Sequence, residues 1–137
     1  MTKAAELFLE ELKKHNLTHM PVAEDGEKTI IPVGFKLKNT SVEIFTVFSP
    51  NNSVSVTCAG FLTINEEQFP QVLLCCNHLN QEMRWAKFYI DDDLDVTVED
   101  DAIVNDVTGG EEVLGLVMRM AAIIEEAYPE LNKAIWA

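Results

Sequence analysis

The sequence predicts a single α+β domain, in which a five-stranded, mainly antiparallel sheet packs with helices in the order α-β-β-β-α-β-β-α. The first observation is the twelve-residue stretch Ser53–Ile64, whose residues alternate as on a strand with one buried face. The second is that short, turn-forming segments join neighbouring strand patterns, which favours antiparallel pairing. The third is that three other segments repeat apolar residues at helical spacing.

Residues 2–16 carry the pattern of an amphipathic helix. Thr2 can cap the helix by accepting a backbone hydrogen bond. Lys13 and Lys14 lie near its C-terminus, where positive charges interact favourably with the helix dipole. The apolar stripe consists of Ala4, Leu7, Phe8 and Leu12. The following residues, 17–28, contain a proline and an Asp-Gly turn pair, so we expect them to form a connection.

Three strands are predicted next. Ile30–Leu37 contains Pro32, which has no N–H to donate, so this strand should lie at a sheet edge or begin after the proline. Ser41–Phe48 alternates like Ser53–Ile64, and the proline-containing turn Ser49–Asn52 joins these two strands. We therefore expect an antiparallel hairpin here.

The second half of the chain begins with a helix and two strands. Asn65 and Gln68 have the spacing of a capping box, and a regular helix is expected over 70–81. The fourth and fifth strands are expected at Arg84–Asp91 and Leu94–Ile103, joined by an acidic turn. The fifth alternates apolar residues with Asp, Thr and Glu, so one of its faces should be buried.

The last helix is predicted over residues 109–128, with Pro129 as a kink or an end and a short tail after it. Its apolar positions cover roughly 220° of a helical wheel, more than the stripe of about 100° on a simple surface helix. We infer that the sheet covers part of this surface and that a second element covers the rest. The N-terminal helix is the expected second element, and a subunit contact is the alternative.

Length and composition are typical of a compact single domain. With 137 residues, of which 47% are hydrophobic, the chain can bury a core without disulfides or metal, so one domain over 1–137 is expected. No apolar run approaches the about 20 residues of a membrane-spanning helix, and the N-terminus does not resemble a signal peptide. The three cysteines fit a reduced set of thiols. These features predict a cytoplasmic protein.

The charge of the chain is strongly negative and unevenly distributed. The net charge is −13, and residues 88–118 contain ten Asp or Glu residues without a single Lys or Arg. Such a surface repels phosphate, so neither nucleic acid nor an anionic membrane is an expected partner. A solvated, solubilising face is the simpler interpretation, and a docking surface for a basic partner is the alternative.

No motif in the sequence predicts a metal site or a cofactor. Asp91, Asp93 and Asp95 resemble the start of a calcium loop, but Val96 and Ala102 stand where that loop requires Gly and Glu. The simpler interpretation is a β-turn rich in Asp. We therefore expect no metal and no cofactor.

The cysteines and glycines do not form a recognisable catalytic motif either. Cys75, Cys76 and His78 lack the spacing and the fourth ligand of a structural zinc site. Cys58 lies on the predicted buried face, where a thiol lacks the access and the lowered pKa of a nucleophile. The pair 109–110 precedes a helix without the Lys and Ser or Thr of a phosphate-binding loop. A catalytic set assembled in space is the alternative, but we expect no enzyme activity.

Several short motifs extend over nearly the whole chain. They are the helix ending in Leu79-Asn80, the strand Ala86–Ile90, the acidic turn, the strand with Val96 and Val98, and the last helix closing with Tyr128–Leu131. In these features the chain resembles the YbjN-like proteins, also described as bacterial sensory transduction regulators, whose fold looks like that of type III secretion chaperones. The resemblance implies a small, acidic α+β domain, often a homodimer, without known enzymatic chemistry or catalytic residues.

Two classes of function follow from these observations. The first is a non-catalytic protein-binding module, chaperone-like or regulatory, with a protein or peptide partner. The second is a small-molecule-binding domain or an enzyme whose site assembles from scattered residues. Strand parity places apolar and aromatic residues on the second face of the sheet, which would be polar if it met only water. This predicted binding surface consists of Phe45, Val47, Phe61, Trp85 and Tyr89. A helix covering the same face is the alternative.

Overall fold

The computed structural model describes all residues from 1 to 137 and contains three helices and six strands. The helices are α1 (Lys3–Lys14), α2 (Phe69–Glu82) and α3 (Gly109–Ile135). The strands are β1 (Ala23–Asp25), β2 (Lys28–Lys36), β3 (Ser41–Phe48), β4 (Ser53–Thr63), β5 (Lys87–Ile90) and β6 (Asp95–Ile103). They form one antiparallel sheet in the order β1-β2-β3-β4-β6-β5. The predicted α+β fold with three helices and an antiparallel sheet is confirmed.

The prediction of five strands is wrong, because the expected connection 17–28 contains β1. This strand pairs with the start of β2, with Ala23 opposite Ile30 and Asp25 opposite Lys28. Gly26 forms the turn between them with a φ of 62°, which suits a residue without a Cβ. All three residues of β1 are exposed, so no alternation of apolar residues marks this strand in the sequence.

Pro32 lies inside β2, which is the second strand of the sheet and not its edge. Pro32 is opposite Phe45 of β3, and its carbonyl accepts a hydrogen bond from the Met20 N–H at 2.9 Å. The backbone polar groups of Pro32 therefore point away from β3 and past the short β1. A missing N–H on that side removes no hydrogen bond from the β2–β3 ladder.

The capping signals at the starts of α1 and α2 are confirmed. The Thr2 hydroxyl oxygen accepts the Ala5 N–H at 3.2 Å. The side chains of Asn65 and Gln68 each accept the backbone N–H of the other, both at 3.0 Å. Pro70 lies in the first turn of α2, where backbone donors have no intrahelical partner in any case.

α3 continues through Pro129 to Ile135, so of the two predicted alternatives, a kink or an end at the proline, the end is wrong. A proline inside a helix costs about 3 kcal/mol. Leu131 and Ile135 lie beyond it and are buried, and burial of such side chains contributes about 1.5–3 kcal/mol each. The core therefore stabilises the helix past its proline. No helix of the protein has the length and hydropathy that a membrane span requires.

All three helices pack on one face of the sheet, here called the inner face. A core of 29 buried hydrophobic residues lies between them and the strands. Phe8 of α1 contacts Phe48 of β3, with ring centroids 5.7 Å apart. α1 also packs along α3, where Gly109 and Gly110 are both buried, as the wide apolar arc of the last helix predicted. The opposite face of the sheet, here called the outer face, has no helix over it.

Candidate binding surface

The outer face is organised by the register of the strands. One row of opposed residues crosses the sheet from β2 to β5, and it consists of Pro32, Phe45, Thr57, Glu99 and Lys87. A neighbouring row consists of Ile30, Val47, Ser55 and Asp101. β2 and β3 therefore supply an apolar half of the outer face, and β6 supplies an acidic half.

The apolar half contains two residues predicted from the sequence, Phe45 and Val47. Both are half-buried, although no helix lies above them. Directly opposed residues have Cβ atoms about 4.5–5.5 Å apart, so Phe45 packs beside Pro32 and Val47 beside Ile30. The sequence analysis missed Ile30 and Pro32, because the proline left the start of β2 undefined. Ile30, Phe45 and Val47 are half-buried and form one apolar patch, and Pro32 beside them is buried.

The acidic half contains a third predicted residue, Tyr89 of β5. Its hydroxyl donates a hydrogen bond to the Glu99 carboxylate at 3.0 Å. Burial, this hydrogen bond and the negative charges of Glu99, Asp91 and Asp101 together raise the pKa of Tyr89. The raised pKa is the expected effect of a locally negative potential, since it disfavours the tyrosinate anion.

Phe61 does not lie on the outer face, contrary to the prediction. The register of β4 against β6 shifts between Cys58 and Leu62, and Gly60 has a φ of 65° within this bulge. Phe61 packs against the core instead, edge to face with the buried Phe88 at a centroid distance of 6.4 Å. The bulge interrupts the alternation on which the prediction depended. A glycine inside a strand pattern was the available signal.

Trp85 is also misplaced by the sequence prediction. The fourth predicted strand begins only at Lys87, and Trp85 precedes it with a φ of 81°, outside the strand conformation. Its ring stacks on the guanidinium of Arg119 from α3, at 4.7 Å from the ring centroid. Trp85 is therefore exposed on the helical side of the sheet. The residue types around it carry no signal for this conformation.

The carboxylates of Asp91, Asp93 and Asp95 do come together, with their oxygen atoms within 4.8 Å of one another. The Asp91 carboxylate accepts the backbone N–H groups of both other residues at 3.0 Å, and the Thr97 hydroxyl at 3.3 Å. Asp95 accepts the Thr63 hydroxyl at 2.6 Å. These hydrogen bonds account for the cluster as the support of a β-turn, and the absence of a metal site stays a prediction.

The thiols are protonated and largely inaccessible. Burial raises the pKa of the Cys58 thiol to about 12 and that of the Cys76 thiol to about 11, and both side chains are buried. Burial also raises the pKa of the half-buried Cys75. His78 forms an exposed pair with Glu82 at 3.1 Å. None of these thiols has the lowered pKa of a reactive cysteine.

The raised thiol pKa values predict a loss of stability in alkali. A thiol that is harder to ionise when folded stabilises the protein fully below its unfolded pKa of 9.0, and this contribution disappears as the pH rises through about 11 to 12. The free energy of unfolding in urea should therefore be constant up to about pH 8.5 and fall from about pH 9 to pH 11. Cys58→Ala should show a smaller fall than Cys75→Ala. Equal falls in both variants would contradict this assignment.

The surface depressions do not resemble a small-molecule site. The largest has a volume of about 500 Å³, and its lining consists of Leu9, Lys13, Leu17, Thr18 and His19. Every buried side-chain nitrogen and oxygen atom has a hydrogen-bond partner. A substrate pocket normally combines apolar walls with a few convergent polar groups. The second class of function stays an alternative.

The comparisons with known proteins agree with this fold. Residues 5–133 match the model of the YbjN family, described as "Putative bacterial sensory transduction regulator". No curated protein matches the chain. The crystal structure of YbjN from E. coli, described as "a putative transcription regulator", is similar over 91% of both chains, with 13% sequence identity and a TM-score of 0.58. At this identity the likeness concerns the fold. Because the family match spans nearly the whole chain, the protein belongs to the YbjN family.

Proposed function

We propose that this chain is a non-catalytic protein-binding module, chaperone-like or regulatory, that works in a bacterial cytoplasm. The observation that carries the proposal is the one-sided cover of the sheet. Three helices bury the inner face, while the outer face carries an apolar patch of the half-buried Ile30, Phe45 and Val47. Scattered apolar side chains are ordinary on a surface, but a continuous patch of them marks an interaction site.

We propose that the regulatory role is exerted by contact with another protein and not by contact with DNA. The family description and the description of the E. coli relative both refer to regulators. A chain with a net charge of −13 repels the phosphate backbone, so a direct nucleic-acid reader is disfavoured. Aromatic residues such as Phe45 and Tyr89 are typical anchors at the centre of a protein interface. A protein or peptide partner on the outer face fits both facts.

The experiment compares the partners of the full chain with those of a double variant, Phe45→Ser with Val47→Ser. We expect this variant to keep its circular dichroism spectrum and to lose the proteins that co-purify with the wild type. Leu73→Ser with Leu74→Ser is the matched control, because both leucines are exposed on α2 far from the outer face. Retention of every partner by the Phe45 and Val47 variant, or its unfolding, would overturn the proposal.

A homodimer is the other expected use of this face, and sedimentation analysis measures it directly. If the apolar patch forms the dimer contact, the same double variant should sediment as a monomer while the wild type sediments as a dimer. The control variant on α2 should behave like the wild type. A monomeric wild type would remove the homodimer from the proposal and leave the partner protein.

A further inference from the structure

Two stretches of the sheet edge are closed to a further strand. β1, at one end, is only three residues long. β5, at the other end, is covered by the side chain of Asn80 from α2. Its amide donates to the Phe88 carbonyl at 3.0 Å and accepts the Phe88 N–H at 2.7 Å. The side chain thus occupies the backbone groups that another strand would use.

One open stretch is an overhang of β6, and β2 likewise continues past its three residues of pairing with β1. The pairing of β5 with β6 stops at Lys87, the first residue of β5, which lies opposite Glu99. β6 continues beyond this pair to Ile103. Residues Asp100–Ile103, here called the β6 overhang, therefore have a partner strand only on the β4 side. β5 does not continue alongside them, because Trp85 with its φ of 81° turns the chain away. On that side, no strand of the sheet pairs with the overhang.

The hydrogen-bonding direction of the overhang suits an added strand. The Val104 N–H donates to the Asn52 carbonyl at 2.9 Å, on the β4 side. Because bonding directions alternate along an antiparallel strand, the N–H and C=O groups of Asp101 and Ile103 point to the opposite side. Asp101 and Ile103 are both exposed, and Ile103 is exposed to 85%. The overhang therefore offers unpaired backbone groups to solvent.

A groove runs beside the overhang, between β6 and the first half of α3. It has a volume of about 350 Å³, and its lining consists of Ala102, Val104, Glu111, Glu112, Gly115, Leu116 and Arg119. The ring of Trp85, a residue that is 62% exposed, stacks on the guanidinium of Arg119, which lines this groove. A residue opposite Ala102 on an added strand would point into this groove, where the walls leave room for a small apolar side chain.

The charges around the overhang select the partner. Asp100 and Asp101 belong to the overhang, and Glu111 and Glu112 line the groove, while Arg119 is the one cation among them. Burial and the neighbouring charge of Asp101 raise the pKa of Asp100, which is the effect of carboxylates held close together. A second copy of this chain would bring the same carboxylates against these. A basic segment would neutralise them.

We propose that the β6 overhang and its groove bind an extended, basic peptide segment by addition of a strand to the sheet. Lys or Arg side chains lie beside Asp101 on the outer face, and small apolar side chains between them enter the groove. Main-chain hydrogen bonds to Asp101 and Ile103 supply affinity, and the alternation of basic and apolar residues supplies specificity. This site is separate from the apolar patch of the outer face and does not depend on its function.

The test measures the fluorescence anisotropy of a short labelled peptide of alternating Lys and Val residues with the full chain. We expect saturable binding that weakens with added salt, and no binding of the matching Glu and Val peptide. N-methylation of the residues that donate to β6 should weaken binding about tenfold or more, because each lost hydrogen bond costs on the order of 1 kcal/mol. Equal affinity with and without N-methylation would overturn the proposal.

Protein variants provide an independent arm of the test. Ile103→Pro removes an outward N–H that bonds nothing on the β4 side, and it should weaken peptide binding about tenfold. Ile103→Ala keeps the N–H and removes an exposed side chain, so it should bind like the wild type. If Ile103→Pro fails to fold by circular dichroism, the N-methylated peptide decides the question.

Two further results separate this proposal from the others. Peptide binding that is lost in the Phe45 and Val47 double variant but kept in Ile103→Pro would place the peptide on the outer face and overturn the overhang site. A dimer of the free protein that Ile103→Pro dissociates would make a second copy the occupant and would also overturn it. Loss of co-purifying partners in the Phe45 and Val47 variant, with normal peptide binding, would support both proposals separately.

Discussion

Gly110→Ala should lower the free energy of unfolding by about 3 kcal/mol, because α1 and α3 approach each other at this residue without room for a methyl group. A Cβ on Gly110 would lie 2.5 Å from the Leu7 carbonyl oxygen and 2.6 Å from its carbonyl carbon. These are backbone atoms, so no side-chain rotation relieves the overlap and α1 has to move. α1 carries Phe8 and Leu12, which are fully buried, so its displacement loosens the core. Urea unfolding followed by circular dichroism measures the change.

Gly115→Ala is the matched control on the same helix. A Cβ on Gly115 meets nothing within 4 Å, and Gly115 is exposed. Ala favours a helix interior over Gly by about 1 kcal/mol, so this variant should gain stability. The same substitution should therefore have opposite signs at two positions of α3. A gain of stability in both variants would show that α1 does not pack on α3 as described.

Asn80→Ala should lower the free energy of unfolding by about 1–3 kcal/mol, because it leaves both backbone groups of Phe88 without their partner. The Asn80 amide makes two hydrogen bonds to Phe88, of 2.7 and 3.0 Å, at the edge of the sheet. The variant also uncovers the edge of β5, so we expect concentration-dependent self-association. Thermal unfolding and light scattering at several protein concentrations measure the two effects.

Asn77→Ala is the control for the edge effect. Asn77 is exposed on the solvent side of α2 and precedes Asn80 by one turn of the same helix. Its replacement should change stability by at most about 0.5 kcal/mol and leave the protein free of aggregates. If both variants lose the same stability, the side chain of Asn80 does not close the β5 edge.

Patterns with a local physical cause were predictable from the sequence. The alternation in Ser41–Phe48 and Ser53–Ile64 placed β3 and β4, since a strand that buries one face must alternate. The reciprocal hydrogen bonds of Asn65 and Gln68 follow from their spacing alone. The wide apolar arc of residues 109–128 required a second covering element, which proved to be α1.

Features that depend on contacts with distant parts of the chain were not predictable from local sequence patterns. β1 consists of three exposed residues, and only its pairing with β2 makes it a strand. α3 continues past Pro129 because Leu131 and Ile135 reach a core built by other parts of the chain. In both cases the stabilising free energy comes from tertiary contacts, which leave no periodic signal in the segment itself.

The five residues of the predicted binding surface show the same difference between local and tertiary causes. Phe45, Val47 and Tyr89 lie on the outer face because their strands keep regular alternation up to these residues. Phe61 and Trp85 do not, since Phe61 lies inside the bulge at Gly60, where pairing with β6 is interrupted, and Trp85 lies in the left-handed turn before β5. Alternation assigns a face only to residues within a regular strand, so it does not apply inside a bulge or a turn.

The sequence by itself determined the fold class, the sign of the surface charge and the residues of the longer strands, because these depend on composition and on periods of a few residues. Only the tertiary structure decided which face stays uncovered, which edge Asn80 closes and where β6 outruns β5. Those outcomes depend on how far separate segments extend past one another. Strand lengths and helix positions are set by packing between elements, and packing is a property of the assembled chain.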